Sequence, residues 1–429
     1  MLSLRKLAAC VAAAAAIMAA SIQAHAQDPA PLKIGVVSFL SGPAAGPFGV
    51  PARNAAEITF EMLNGGKVPE PYATKGFGGA PLQMVLIDEA GSTTTQVTEF
   101  RNLVQRANVD LVIGYISSGN CLAVAPVAEE LKKLTVFFDC GTPRIFEDAS
   151  YKYVFRTSAT STMDSVGAAL YARENRPGIK KISGINQNYA WGQDSWGDFE
   201  RAMKQLVPAV QTATSQMPKL FAGQFNTEIS ALLAGGADVV HSSFWNGDLE
   251  AFILQAGPRG LFKKSTVILT TGETAMYKLA GQIPDGTVIG ARGPYGPFAP
   301  DNALNKWYVP TFKDRYNVPP NYAAYQMTQA ILGAKAAWEK AQAANGGQRP
   351  TTDQVIAAFE NLTFESPGGT IRLALGKGHQ AITETVYGQT KMVKGQMTVT
   401  KVKRYPAEQV NPPEGVKSAD WIDSGFKKK

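Results

Sequence analysis

Between Leu111 and Thr142 the chain has few ways to fold. Leu111-Val112-Ile113-Gly114 closes an apolar run that reads as a buried strand, and Tyr115 to Asn120 is a Ser/Gly-rich turn. Cys121 to Lys133 carries Leu122, Val124, Ala125, Ala128 and Leu131 at close to helical spacing. Leu134 to Phe138 is a second short apolar strand, and Cys140-Gly141-Thr142 follows it. Strand, helix and strand make a βαβ unit, whose strands run parallel. Both polar turns then fall at the carboxyl ends of their strands, where open α/β sheets bind ligands. Ser117, Ser118 and Thr142 bring hydroxyls there, Tyr115 brings a ring, and the helix start adds free N–H groups, a set suited to a carboxylate. The same serines would serve equally as helix caps and turn formers.

The alternation extends to both sides. Leu32 to Phe39 and Leu82 to Asp88 read as strands, and Pro51 to Leu63 and Thr93 to Ala107 as helices. A crossing segment follows at Tyr153 to Ser158. Beyond it, helices are expected at 162–175, 199–206, 226–234 and 249–256, and strands at 181–186, 211–216, 237–242 and 267–271. The fold expected is α/β, with two doubly wound parallel-sheet lobes similar in pattern but not in sequence. Crossing strands between lobes leave a cleft that suits ligand capture by hinge closure.

Turns expected to face that cleft are aromatic. They carry Phe48 after Pro47, Trp191 within Asn188-Tyr189-Ala190-Trp191-Gly192, and Phe244-Trp245 after Ser243. Exposed turns with this much aromatic area point to a partner, although core packing accounts for part of it. Glu273 ends Thr270-Thr271-Gly272-Glu273 after an apolar strand. It would either accept an ammonium group or favour the start of a helix at 275–279.

At the N-terminus, Arg5 and Lys6 precede an Ala-rich apolar run from Leu7 to Ala20, then Ala24-His25-Ala26, the pattern of a cleaved secretory signal peptide over residues 1–26. Leu7-Ala8-Ala9-Cys10 fits a lipobox but has almost no apolar segment before it. Cleavage after Ala26 leaves 403 residues and lowers the formal charge from +7 to +5. The basic residues are scattered, so no nucleic acid is expected as partner. After cleavage two cysteines remain, Cys121 and Cys140, as a disulfide candidate in an oxidising compartment or as two buried thiols. His241 and His379 are the histidines left, and no nucleophile, metal or phosphate-loop signature is present, which argues against an enzyme and against a cofactor. His241 reads as a core histidine within an apolar strand.

The segments IGVVSFLSGPAAGPFG, DLVIGYISS, FRTSAT, NYAWGQDSW, AGGADVV, TTGET and ESPGGTIRLALGKGHQAI, in this order, resemble the periplasmic solute-binding proteins of branched-chain amino-acid ABC transporters, the Leu/Ile/Val-binding family. The resemblance implies a type I periplasmic-binding, Venus-flytrap fold with three crossings near Thr157, Gly293 and His379. Lobe 1 would be 27–157 plus 294–380, with helices at 303–316, 322–345 and 352–361, and lobe 2 would be 158–293 plus 381–429. It also implies that Ser118 and Thr142, with Cys140 and Gly141 backbone, hold a ligand carboxylate. Phe48, Trp191 and Phe244 or Trp245 would enclose the ligand, and Glu273 would take an ammonium. Phe48 and Trp191 stand where the family carries Tyr, which suits a larger, flatter solute such as an aromatic amino acid or an aromatic carboxylate. The implied protein is a monomeric periplasmic component that hands a small carboxylate to an ABC permease. Alternatives are a sensing module that presents its solute to a receptor, and a secreted hydrolase. The tail from Asn411 to Lys429, rich in Pro, Gly and Lys, is expected to be partly mobile.

Overall fold

The computed structural model describes residues 30–427, so the expected signal peptide lies outside the described residues. The chain begins β1 (Leu32–Ser38), α1 (Val50–Asn64), β2 (Leu82–Asp88), α2 (Thr93–Gln105), β3 (Leu111–Gly114), α3 (Ser118–Glu130), β4 (Thr135–Phe137) and β5 (Val154–Arg156). Pro51 lies in the first turn of α1, where its missing N–H costs nothing. Ser92 caps α2 by accepting from Thr95 N at 3.1 Å. The next run is α4 (Ser161–Asn175), β6 (Lys181–Ile185), α5 (Ala190–Leu206), β7 (Gln211–Gln216), α6 (Asn226–Gly235), β8 (Val239–Ser242), α7 (Asn246–Ala256), β9 (Thr266–Leu269) and β10 (Val288–Gly290). Then come α8 (Ala303–Tyr316), α9 (Tyr322–Ala344), α10 (Thr352–Phe359), β11 (Thr363–Ser366), β12 (Gly369–Leu375), β13 (Gln380–Ile382), β14 (Thr385–Val393), β15 (Gln396–Tyr405) and α11 (Ser418–Asp423).

Among the described residues two sheets form, ordered β11-β12-β13-β5-β4-β3-β1-β2 and β15-β14-β10-β9-β8-β6-β7. The strands from β5 to β2 and from β10 to β7 pair in parallel, as the alternation predicts. The other edges are mixed. The β11–β12 and β14–β15 hairpins pair antiparallel, because chain segments without a crossover helix can only fold straight back. β13 joins the first sheet beside β5, and β14 joins the second beside β10, so the late part of the chain serves both lobes.

Strand order reverses between β1 and β3 in one sheet and between β6 and β8 in the other. Such reversals open a crevice at the carboxyl ends of the flanking strands. In the first lobe that crevice receives the turns after Ser38 and Gly114, and in the second the turns after Ile185 and Ser242.

Several local readings need correction. Asn188 to Gly197, expected as a turn, is helical from Ala190, the start of α5. Helix α3 begins at Ser118 rather than Cys121, which puts Ser118 in its first turn and Ser117 at its cap. Within the described residues the tail is anchored: Trp421 and Ile422 are buried with Met163 and Phe199 in the outer core of lobe 2. Among the described residues no helix is long and apolar enough to cross a membrane.

Candidate functional site

The turns after β3 and β4 are bolted together. Ser118 Oγ accepts from Gly141 N at 3.1 Å and from Thr142 N at 3.2 Å. With its lone pairs engaged, the Ser118 hydroxyl retains its own proton to donate. Cys121 and Cys140 form a disulfide across the same two segments. Below them the Glu89 carboxylate, directly after β2, accepts from Ile116 N at 2.8 Å, Ser117 N at 2.8 Å and Asn120 Nδ2 at 3.1 Å. Burial pushes its pKa up to about 8 despite those donors.

The cleft itself is lined by Ser118, Asp139, Gly141 and Tyr322 from lobe 1, and by Tyr189, Trp191, Trp245, Thr271 and Arg292 from lobe 2 and its crossing. At its base lies Arg292, just beyond β10. Its Nε donates to Asp164 Oδ2 at 3.1 Å, and Nη1 donates to Asp139 O at 2.6 Å and to Asp139 Oδ1. Its Nη2 donates to Ala159 O at 3.0 Å. The guanidinium stands 4.4 Å from the Trp191 ring centroid, a cation–π contact. The indole is fixed in turn by Trp191 Nε1 donating to Ser243 O at 2.8 Å. Burial alone would lower the Arg292 pKa, but the Asp139 and Asp164 charges outweigh it and raise it. Burial pushes both carboxylates up, against the pull of Arg292. One guanidinium thus serves two buried acids, and Asp139 Oδ2 is left without a partner at the cleft.

Aromatic rings close the remaining walls. Trp245 meets Phe48 at 5.4 Å and Phe39 at 5.9 Å, both from the other lobe, and Phe48 meets Tyr322 at 5.4 Å. Gly141 must be glycine, since a Cβ there would lie 2.3 Å from the Trp191 ring and 2.5 Å from Arg292 Nη2. The inner space is about 10 Å³, near the size of one water. Outside it, an outer groove of about 440 Å³ runs past Phe39, Ser117, Asn120, Tyr189 and Phe221. Tyr189 borders both spaces, so a ring-sized solute reaches the inner cleft only when the lobes part or Tyr189 swings aside.

The residues expected from sequence divide accordingly. Ser118, Gly141, Trp191 and Trp245 line the cleft, Phe48 backs Trp245 and Tyr322, and Ser117 borders the outer groove. Cys140 faces away, its carbonyl accepting from Arg156 Nη1 at 2.8 Å. Four expectations need correction. Thr142 Oγ1 donates to Asp194 Oδ2 at 2.6 Å on α5 and accepts from Arg144 N, so it is not free for a ligand. Tyr115 is buried behind the sheet with Phe100, Val124 and Phe137, a core position. Phe244 packs on Phe225 and Phe252 inside lobe 2. Glu273 is buried with Oε2 accepting from Tyr322 N at 3.1 Å at the start of α9, and it does not line the cleft. Burial pushes its pKa up to about 8, so it is no ready anion for an ammonium. His241 stacks on Phe199 at 4.3 Å in the core, and burial pushes its pKa down to about 3.

Sequence reasoning missed Arg292, Asp139, Tyr189 and Tyr322. Asp139 sits directly before Cys140 in a turn already singled out, and a charge directly after an apolar strand was the available signal for both it and Arg292.

No curated protein matches the chain by sequence. A family model described as periplasmic binding protein matches residues 31–396. The chain belongs to the periplasmic binding protein family. Membership implies an extracytoplasmic location and agrees with the resemblance read from the sequence. Solved structures share the fold. A solute-binding protein of an ABC transporter from Rhodopseudomonas palustris BisB5, in complex with 3,4-dihydroxybenzoic acid, is 22% identical, with a TM-score of 0.73 over 88% of this chain and 98% of that one. A second, from R. palustris in complex with benzoate, is 20% identical, with a TM-score of 0.75 over 90% and 99%. A leucine-binding protein from Thermotoga maritima is 19% identical, with a TM-score of 0.72 over 86% and 98%. This periplasmic binding protein thus shares its two-lobed architecture with binders of aromatic acids and of leucine.

Proposed function

We propose that the protein is the solute-binding component of an ABC importer and captures a small aromatic carboxylate between its lobes. The observation that carries this is the Ser118 hydroxyl, both lone pairs engaged and its proton free, in a cleft walled by Tyr189, Trp191, Trp245 and Tyr322. The hydroxyl and the N-terminal N–H groups of α3 hold the carboxylate, and the aromatic walls sandwich the ring. The lobes hinge at crossings near Thr157, Gly293 and His379, between lobe 1 (27–157 and 294–380) and lobe 2 (158–293 and 381–429). Closure makes the complex recognisable to a permease. The protein works as an exported monomer after signal cleavage, breaks no bond and uses no cofactor. The complexes of similar structures with benzoates support this reading. One observation favours an amino acid instead: the unpartnered Asp139 Oδ2 at the cleft would accept from an ammonium.

A thermal-shift series with benzoate, 4-hydroxybenzoate and leucine separates the two. A solute at 100 times its Kd adds about 2.7 kcal/mol. A shift with the benzoates alone is expected, and a shift with leucine alone would establish the second reading. Lack of any shift would count against both. Ser118→Ala should raise Kd about tenfold or more, the loss of one hydrogen bond to a charged group, whereas Thr142→Ala should change it by less than about twofold. Restored uptake of labelled solute in cells lacking the protein distinguishes an importer from a sensor.

A further inference from the structure

A second cavity, of about 240 Å³, shares no lining residue with the cleft or its outer groove. Its walls are largely apolar: Pro143, Phe146, Leu375, Pro412, Pro413 and Val416. At its base is Arg156, the last residue of β5 and fully buried. Arg156 Nε donates to Gln380 Oε1, and Nη1 donates to Cys140 O at 2.8 Å and Thr142 O at 2.7 Å. Its Nη2, with two N–H groups, has no partner, and neither does the hydroxyl of Thr160, which also lines the cavity. No carboxylate of the described residues forms an ion pair with Arg156. Glu147 and Glu414 line the cavity but are engaged, accepting from Ser418 N at 3.0 Å and from Lys377 N at 2.7 Å.

The Glu147 and Asp194 charges act on Arg156 only from beyond ion-pair distance. A buried cation with no carboxylate in contact is costly, and unpaired donors at a buried site add to that cost. The missing partner has the chemistry of an oxyanion, and the apolar walls supply a place for the rest of an organic acid. We propose that this cavity is a second solute site, taking a small organic monocarboxylate whose oxygens accept from Arg156 Nη2 and the Thr160 hydroxyl. Its walls come from the first lobe at Pro143 and Leu375 and from the C-terminal segment at Val416. That segment is tied to the second lobe where Thr162 Oγ1 meets Ser418 Oγ at 2.7 Å. Arg156 and Gln380 sit on two of the interlobe crossings. Occupancy of this site is therefore coupled to lobe closure, and the coupling is reciprocal. The site stands independently of what the cleft binds.

The test uses 4-fluorobenzoate as probe and ¹⁹F NMR of the mature protein. Ala149 is exposed at the cavity mouth, so Ala149→Trp plugs it without touching the core. The expected result is a bound resonance that disappears in Ala149→Trp, survives Trp245→Ala, and weakens at least about tenfold in Arg156→Lys. Should Arg156→Lys not fold, Ala149→Trp decides alone. A solute held in the cleft gives its own resonance, kept in Ala149→Trp and lost in Trp245→Ala; absence of any bound resonance that Ala149→Trp removes overturns the proposal. Failure of the cleft reading shows separately, as the absence of any bound resonance that Trp245→Ala removes.

Discussion

Replacing Arg292 with Met is expected to lower stability by about 3–5 kcal/mol at pH 8, and by clearly less at pH 5. The side chain is the only cation in ion-pair contact with Asp139 and Asp164 among the described residues, and all three are buried. Without it, two carboxylates in an apolar setting must take up protons to stay folded. The sign follows from proton binding. Their folded pKa values already lie above the ordinary aspartate value of about 3.9, near 6 for Asp139 and near 7 for Asp164. Removing Arg292 raises them further. Between about pH 4 and those folded values the folded state binds more protons than the unfolded chain, so stability falls as pH rises. Glu89, Asp198 and Glu273 are also raised by burial, but wild type and variant share them. The difference between the two proteins therefore isolates Arg292. Urea denaturation of both at pH 5 and pH 8 measures it. A loss equal at both pH values would mean that Arg292 acts by packing on Trp191 and not by charge. Adding Asp164→Asn should recover part of the loss, because the two sites are in contact and their effects are not additive.

The parallel core of each lobe was legible because its strands and helices keep distinct hydrophobic periods. Leu82–Asp88 emerged with its observed bounds, and the first helix differed only at its ends. The hairpins at the sheet edges were not legible. β12 and β15 present one face to solvent and carry charges, so their apolar signal is weak. The strand-end turns singled out from the sequence do border the interlobe cleft, since the parallel order of the strands puts their carboxyl ends there whatever the turn residues. Which side chain faces the cleft depends on contacts distant in sequence. Thr142 is drawn away by Asp194, 52 residues later, and Arg292 finds Asp164 from 128 residues away. Periodicity and turn chemistry are local signals and carry no information about such pairs. The same holds for Phe244 and Trp245, adjacent residues on opposite sides of the β8 turn, one in the lobe core and one in the cleft.

That adjacency makes the second large effect testable. Trp245→Ala is expected to weaken binding of the cleft solute by about 30- to 1,000-fold, the range for an aromatic anchor worth 2–4 kcal/mol. The ring lines the cleft and also touches Phe39 and Phe48 across the interlobe boundary and Phe221 on its own side. Its loss removes one wall of the solute site and loosens the closed arrangement, so both terms lower affinity. Phe244→Ala is the control. It should destabilise the protein by about 3–5 kcal/mol, as large-to-small core changes do. Yet its ring packs on Phe225 and Phe252 within the lobe, so affinity in the folded fraction should stay within a few-fold of wild type. Trp245→Phe should keep part of the binding, since a smaller ring still faces Phe48. Calorimetric titration with 4-hydroxybenzoate, alongside melting temperatures, separates the two quantities. If both alanine variants lose affinity in proportion to stability, the cleft wall is only a packing element and the aromatic site lies elsewhere, in the outer groove beyond Tyr189. If affinity falls only in Trp245→Ala, the interlobe wall holds the solute, and closure over Trp245 is the event that a permease would detect.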